Sequence, residues 1–225
     1  IESLVINVPP GMSKSLICSV LFPAWVWTIR PDYRWITASY SDTVVLRDAR
    51  KSRTLIESDW YRARWPEVQH PSYARSVTGQ HADAHVIDDP HDPHGVKSIA
   101  ELEEAIAWHR ETMSTRFRDP KRRRRILVMQ RLHERDLTSE FVREGATVLC
   151  LPMRFESTHP HRWARDPRTE GELLMPERYP DNVVRDLETI LGPTAAAAQL
   201  KQRPSPAGGG IFKHEYFVRR WTHLP

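Results

Sequence analysis

The chain has 225 residues, of which 40% are hydrophobic and 28% charged, with 33 Lys plus Arg against 29 Asp plus Glu. That composition suits one large domain, or one core with a small appendage, and excludes a chain that is disordered throughout. The longest uncharged apolar run, Ser15 to Thr28, is broken by Pro23 and is too short to span a bilayer. The two cysteines, Cys18 and Cys150, cannot build a disulfide framework or a cysteine zinc site.

In chain order, the first element is a strand over Leu4–Val8, nearly continuous in branched apolar residues as a strand covered on both faces should be. A turn of Pro9, Pro10, Gly11, Met12 and Ser13 leads into Lys14–Trp27, apolar nearly all round and therefore expected to be a central helix. Trp35–Ala38 is a second strand, and Asp42–Ser58 a helix with Val45, Ala49, Ser52 and Ile56 on one face. His85–Asp88 is a third strand. Ser98 and Glu101 form a capping box that opens a helix with Ile99, Leu102, Ile106, His109, Met113 and Phe117 on one stripe. Ile126–Gln130 and Thr147–Leu151 complete the strands. Strand and helix in this rhythm predict an α/β fold with a mainly parallel central sheet flanked by helices. After Leu151 the character changes, and 152–203 reads as a small lid subdomain with short helices at Pro180–Leu191 and Thr194–Lys201. Residues 204–225 begin as a Pro/Gly linker. Cys18 and Cys150 lie in apolar runs, which predicts buried, reduced thiols. No signal peptide is evident, so a reducing intracellular setting is expected, and an opening directly on a strand without methionine reads as a fragment.

Three strand ends carry chemistry. The first is followed by Lys14 and Ser15 at the head of a helix, the layout of a phosphate-binding loop in which Lys reaches phosphate and the Ser hydroxyl binds Mg²⁺. With Lys14 fixed, the two glycine slots of the strict pattern fall on Val8 and Ser13, and Gly11 is the loop's one glycine. Alone, the segment reads rather as an ordinary strand–turn–helix with an exposed lysine. The third strand ends in Asp88, Asp89 and Pro90. One carboxylate would hold the metal through water and the next would orient or deprotonate the attacking water, although Asp-Pro also starts helices. Together the Lys-Ser and Asp-Asp pairs point to a nucleotide site at one sheet edge. The fourth strand ends in Gln130, Arg131, Leu132 and His133, which can sense a γ-phosphate or form an ordinary polar loop.

These segments in order, with Thr-Ala-Ser-Tyr-Ser at 37–41, Thr78-Gly79, Ala82-Asp83, Cys-Leu-Pro-Met at 150–153, Gly171-Glu-Leu-Leu and the 202–213 segment, resemble the large terminase subunit of tailed bacteriophages. The resemblance spans nearly the whole chain. It implies an additional-strand P-loop ATPase over 1–151, a lid over 152–203, and from 204 the start of a nuclease domain. It implies ATP and Mg²⁺ as cofactors, with Pro10, Gly11, Met12, Ser13, Lys14, Ser15 and Leu16 around the nucleotide. Ser15 and Asp88 would serve the metal, Asp89 would be the catalytic carboxylate, and Gln130, Arg131 and His133 the coupling segment. The implied partners are double-stranded DNA, the portal protein, the small terminase subunit and further copies in a ring on the capsid, in the host cytoplasm and without a membrane. The adenine-contacting segment of such proteins lies upstream of the first strand. The stretch between Trp65 and Thr78 is shorter than theirs, as if residues were missing, and Arg75 there is the candidate arginine finger.

The run Lys121, Arg122, Arg123, Arg124, Arg125 is the sharpest charge feature. It reads as a solvated turn, as a sequence-independent contact to DNA backbone, or as a contact to a neighbouring subunit or the portal. His81, His85, His91 and His94 match no metal spacing. The eight tryptophans are expected mainly in packing. A helicase-like P-loop ATPase, and a docking module with a decayed nucleotide site, are the competing readings.

Overall fold

The computed structural model describes residues 2–68, 80–92 and 98–205. Arg75, His94, Trp221 and the linker beyond residue 205 lie outside the described residues. Five strands, β1 (Glu2–Asn7), β2 (Trp35–Ala38), β3 (Ala84–Asp88), β4 (Arg124–Met129) and β5 (Thr147–Cys150), form one sheet in the order β2-β3-β4-β1-β5. Every pairing is parallel. All five residues of β3 are buried, as expected of a strand covered on both faces. β4 is interposed between β1 and β3, so the strand ends that carry Lys14, Gln130 and Asp88 emerge side by side at the C-terminal edge.

The alternation of side chains along the strands divides the core. Val5, Ile87, Leu127 and Met129 face one side and pack with Met113, Leu137 and Phe141. These come from α4 (Ile99–Ala107), its continuation to Thr115, and α5 (Leu137–Arg143). Val86 and Val128 face the other side and pack with Cys18 of α1, which is π-helical over Leu16–Leu21 and α-helical over Phe22–Trp27. Beyond it, α2 (Asp42–Glu57) and α3 (Asp59–Arg64) enclose Ala24, Trp27, Ile56 and Tyr61. Ser98 caps α4 by accepting from the Glu101 amide, as its position predicts. α6 (Asp181–Gln199) bends at Gly192, whose φ of 72° and ψ of 170° leave the helical region just before Pro193, where the sequence calls for a break.

Two expectations change, and one helix is added. α1 is not buried all round: Ile17 is 52% and Trp25 58% exposed, with Leu21 between them, and Cys18, Ser19, Val20, Pro23, Ala24 and Trp27 are its buried residues. Helix α5 follows the polar end of β4, over residues to which no element was assigned from the sequence. Trp60 and Trp163, like Trp25, lie on the surface, whereas Trp27, Trp35, Trp65 and Trp108 pack in or against the core clusters. Cys18 and Cys150 are buried and free. No helix among the described residues is long and apolar enough to cross a membrane.

Residues after Leu151 are tied to the core. Val8 and Met12 share an apolar cluster with Met153, Val184, Ala196 and Leu200, and the Met153 amide donates to the Leu200 carbonyl at 2.8 Å.

Candidate nucleotide site

The loop between β1 and α1 is bent by two left-handed residues, Gly11 at φ 79° and Ser13 at φ 56°. Ser13 occupies the second glycine slot of the strict phosphate-loop pattern. It adopts the backbone that glycine would supply, at a cost of roughly 1–2 kcal/mol. The chain then turns directly into α1, with the Ile17 amide donating to the Ser13 carbonyl at 3.0 Å. A left-handed residue leading into a helix start aligns backbone N–H groups as an anion cradle.

Gly11 has a second constraint. Tyr179, from the segment after Leu151, lays its hydroxyl where a Cβ on Gly11 would stand. Gly11→Ala is therefore expected to cost about 1–2 kcal/mol from its φ, and more from displacing Tyr179. Thermal unfolding of Gly11→Ala beside Gly11→Ala/Tyr179→Leu checks this, the double variant recovering part of the loss.

Lys14 and Asp89 meet. The Lys14 Nζ lies 2.8 Å from Asp89 Oδ2, with both side chains partly shielded. The Asp89 backbone is left-handed at φ 43°, a conformation aspartate tolerates better than most residues. It is pinned on two sides: its amide donates to the Val128 carbonyl at 2.8 Å, and its carbonyl accepts from the Tyr40 amide at 3.2 Å and the Ser39 hydroxyl at 3.3 Å. Asp88 points back under α1, where it is 2% exposed and Oδ2 accepts from the Ser19 hydroxyl at 3.0 Å. Its Oδ1 is buried without a partner. Burial raises the Asp88 pKa from its ordinary value, opposed by a hydrogen bond from Ser15, and Asp89 raises it further. A buried carboxylate oxygen left open beside a serine hydroxyl fits a hard divalent cation that keeps most of its waters, so Ser15 and Asp88 suit Mg²⁺. No cluster of three or more acidic, His or Cys side chains suited to a metal occurs among the described residues. Cys18, one turn into α1, has its thiol pushed up to about 11, chiefly by burial and next by Asp88.

The coupling candidates continue the same edge. Gln130 is 8% exposed and its Oε1 is buried without a partner. Arg131 is buried and forks onto Asp136, with Nε 3.1 and 2.9 Å from the two carboxylate oxygens. Its amide donates to Gln202 Oε1 at 2.8 Å, joining the post-151 segment to the strand end. His133 is half-buried, and its Nδ1 accepts from the Arg135 amide. A cavity of about 610 Å³ opens on the α4 face beside Pro90, lined by Ser39, Tyr40, His91, Glu101 and Trp108 among others but by no residue of the loop.

The basic run is elsewhere. It runs into β4, whose first two residues are Arg124 and Arg125, and so lies at the N-terminal edge of the sheet, opposite the loop. Arg125 leaves the run: it is buried, with Nη1 2.6 Å from Glu144 Oε2, Nε 3.0 Å from Ser3 Oγ, and its guanidinium over the Phe141 ring. Its assignment to DNA is corrected on that ground, since a buried guanidinium already paired with a carboxylate is not presented to a phosphate. Arg124 pairs with Glu2 at the surface, and Lys121 and Arg122 are exposed.

Ser19 and Tyr179 were not singled out from the sequence. Ser19 follows Ser15 by one helical turn, a spacing that signals a shared face. Nothing local marks Tyr179. Compared with models of known protein families and with curated proteins, the chain matches none.

Proposed function

We propose that this chain is an ATP-hydrolysing motor of the terminase type, drawing double-stranded DNA into a capsid. One observation carries the reading: a Lys-Ser loop and an Asp-Asp strand end, 75 positions apart from Lys14 to Asp89, converge to 2.8 Å at the C-terminal edge of a parallel sheet. The strand interposed between them supports the additional-strand P-loop type. Backbone amides of 11–15 and Lys14 bind the phosphates. Ser15 and, through water, Asp88 would hold Mg²⁺, whose chemistry there would be neutralisation of phosphate charge. Asp89 orients the attacking water and takes its proton once Lys14 has turned to phosphate. Gln130, with a free buried oxygen, senses the γ-phosphate, and Arg131 carries its state to Asp136 and Gln202. Arg75 remains the arginine-finger candidate. Portal, small-subunit and ring contacts, and a nuclease further along the chain, belong to the same proposal.

The test is ATP hydrolysis with and without double-stranded DNA at low salt, wild type beside Lys14→Ala. DNA-stimulated turnover lost in Lys14→Ala supports the reading. Absence of nucleotide binding by the wild type sinks it. That outcome would favour a decayed docking module, for which the present geometry offers one argument: Asp89 occupies Lys14, and Tyr179 covers Gly11.

If the tip before β4 grips DNA, Lys121→Ala/Arg122→Ala weakens binding equally on unrelated sequences. The slope of log affinity against log salt then falls by roughly 2, about 0.9 per phosphate contact. A salt titration by fluorescence anisotropy reads both, and an unchanged slope would assign the tip to a protein partner.

A further inference from the structure

We infer that His91 is a positioning residue that joins the Asp88–Asp89 turn to the coupling segment. The inference rests on the nucleotide-site reading above and adds the joint through which that site acts.

His91 is 4% exposed and follows Asp89 by two residues across Pro90. Its Nε2 accepts from the amide of Leu137 at 2.9 Å. The ring therefore presents a lone pair at Nε2 and carries its proton at Nδ1. Leu137 opens α5, and its amide is one of the donors a helix start leaves without an intrahelical partner. The residue placed to cap it, Asp136, makes no side-chain cap bond. Its carboxylate is spent on Arg131 Nε and on the amides of Leu132 at 3.1 Å and His133 at 3.4 Å. The capping task passes to an imidazole 46 positions away. One side of this bond is covalently two residues from the carboxylate that holds Lys14. The other is the residue after the carboxylate that holds Arg131. Pro90 has a fixed φ and leaves little slack between Asp89 and His91.

When nucleotide draws Lys14 off Asp89, the turn is released on the Lys14 side while its backbone stays pinned to Val128 and Tyr40. His91 carries that release to α5 and to the Arg131–Asp136 pair. Spatial continuity alone is not coupling, so the test must read both ends. A glutamine at position 91 can place an amide oxygen near the Nε2 site and keep the acceptor, whereas alanine cannot.

The experiment combines steady-state hydrolysis, nucleotide binding and hydrogen exchange of α5 for wild type, His91→Ala and His91→Gln. The expected result is a kcat loss of about 10-fold to 100-fold in His91→Ala, with nucleotide Kd nearly unchanged. His91→Gln recovers most of the loss, and a nucleotide-induced change in α5 exchange is seen in wild type and His91→Gln but not in His91→Ala. Unchanged kcat in His91→Ala, or equal losses in both variants, overturns the inference. If the wild type binds no nucleotide, the functional reading fails by itself and the joint is read without ligand. Lys14→Ala frees Asp89 and should raise α5 exchange, and the same substitution on a His91→Ala background should not. Equal responses in the two backgrounds overturn the inference.

Discussion

On the proposed reading, Asp89→Asn is expected to slow ATP hydrolysis by about 10²- to 10⁴-fold, the range of a positioned general base, while nucleotide binds at least as tightly as to wild type. Asparagine keeps the size of the side chain and tolerates the left-handed backbone at φ 43°. The bonds to Val128, Tyr40 and Ser39 involve only the backbone of residue 89, so the turn should persist. What changes is charge. The proposed base is lost, and Lys14 loses the carboxylate that now holds it at 2.8 Å. Because Asp89 is partly exposed, that ion pair is worth only about 0.2–1 kcal/mol. Its removal should tighten nucleotide binding by no more than a few-fold. Single-turnover hydrolysis and fluorescent-nucleotide titration separate the two effects. Wild-type turnover in Asp89→Asn would remove Asp89 from the chemistry. Weaker binding would mean that the Lys14–Asp89 pair organises the loop rather than restraining it.

The meeting of the Lys-Ser and Asp-Asp segments was legible because parallel strands send all their C-terminal ends to one edge. A Lys-Ser after one apolar run and Asp-Asp after another must then come close whatever the intervening chain does. The strands themselves were legible because burial on both faces leaves continuous apolar runs, as in β3 and β4. The bend of α6 was legible because Gly192-Pro193 cannot continue a helix. Other features depend on partners distant in the chain. Arg125 sits in a run of surface-looking cations, and only Glu144, Ser3 and Phe141 make it a buried ion-pair residue. α5 begins behind a polar stretch whose Asp136 looks like an ordinary cap but serves Arg131. Tyr179 meets Gly11 only because the post-151 segment packs on Val8 and Met12. Ser13 shows the reverse limit: composition argued against a phosphate loop, yet the backbone adopts at serine the conformation that glycine favours.

Acidification from pH 7 to 4.5 is expected to destabilise the fold through two buried histidines. His85 stacks on Phe117 in β3, donates Nε2–H to the Arg116 carbonyl at 2.9 Å, and has Nδ1 buried without a partner. His159 accepts from the His161 amide at Nδ1 and packs Nε2 against Cys150 Sγ. Burial pushes both pKa values down from 6.5 to about 4. Above pH 6.5 both rings are neutral in folded and unfolded chains, and neither affects stability. Between 6.5 and about 4 the unfolded chain takes up protons that the folded chain refuses, so stability falls as pH falls. The gap is worth about 3 kcal/mol for each ring, and the pair supplies a slope of up to about 2.7 kcal/mol per pH unit. Against a total stability of roughly 5–15 kcal/mol, that approaches unfolding. Asp88, with its raised pKa, acts with the opposite sign. Asp166 and Glu140, held low by Arg168 and Arg110, add to the loss only at lower pH. Urea denaturation at half-unit pH steps, wild type beside His85→Gln/His159→Gln, reads the slope. The variant should have a shallower dependence between pH 6.5 and 4.5 even if it is less stable at pH 7, with the remainder carried by His91, His109 and His161, whose pKa values burial also lowers. An equal slope in both proteins would place the acid sensitivity in other groups, with the Arg125–Glu144–His109 cluster the next to test, since burial also lowers the His109 pKa.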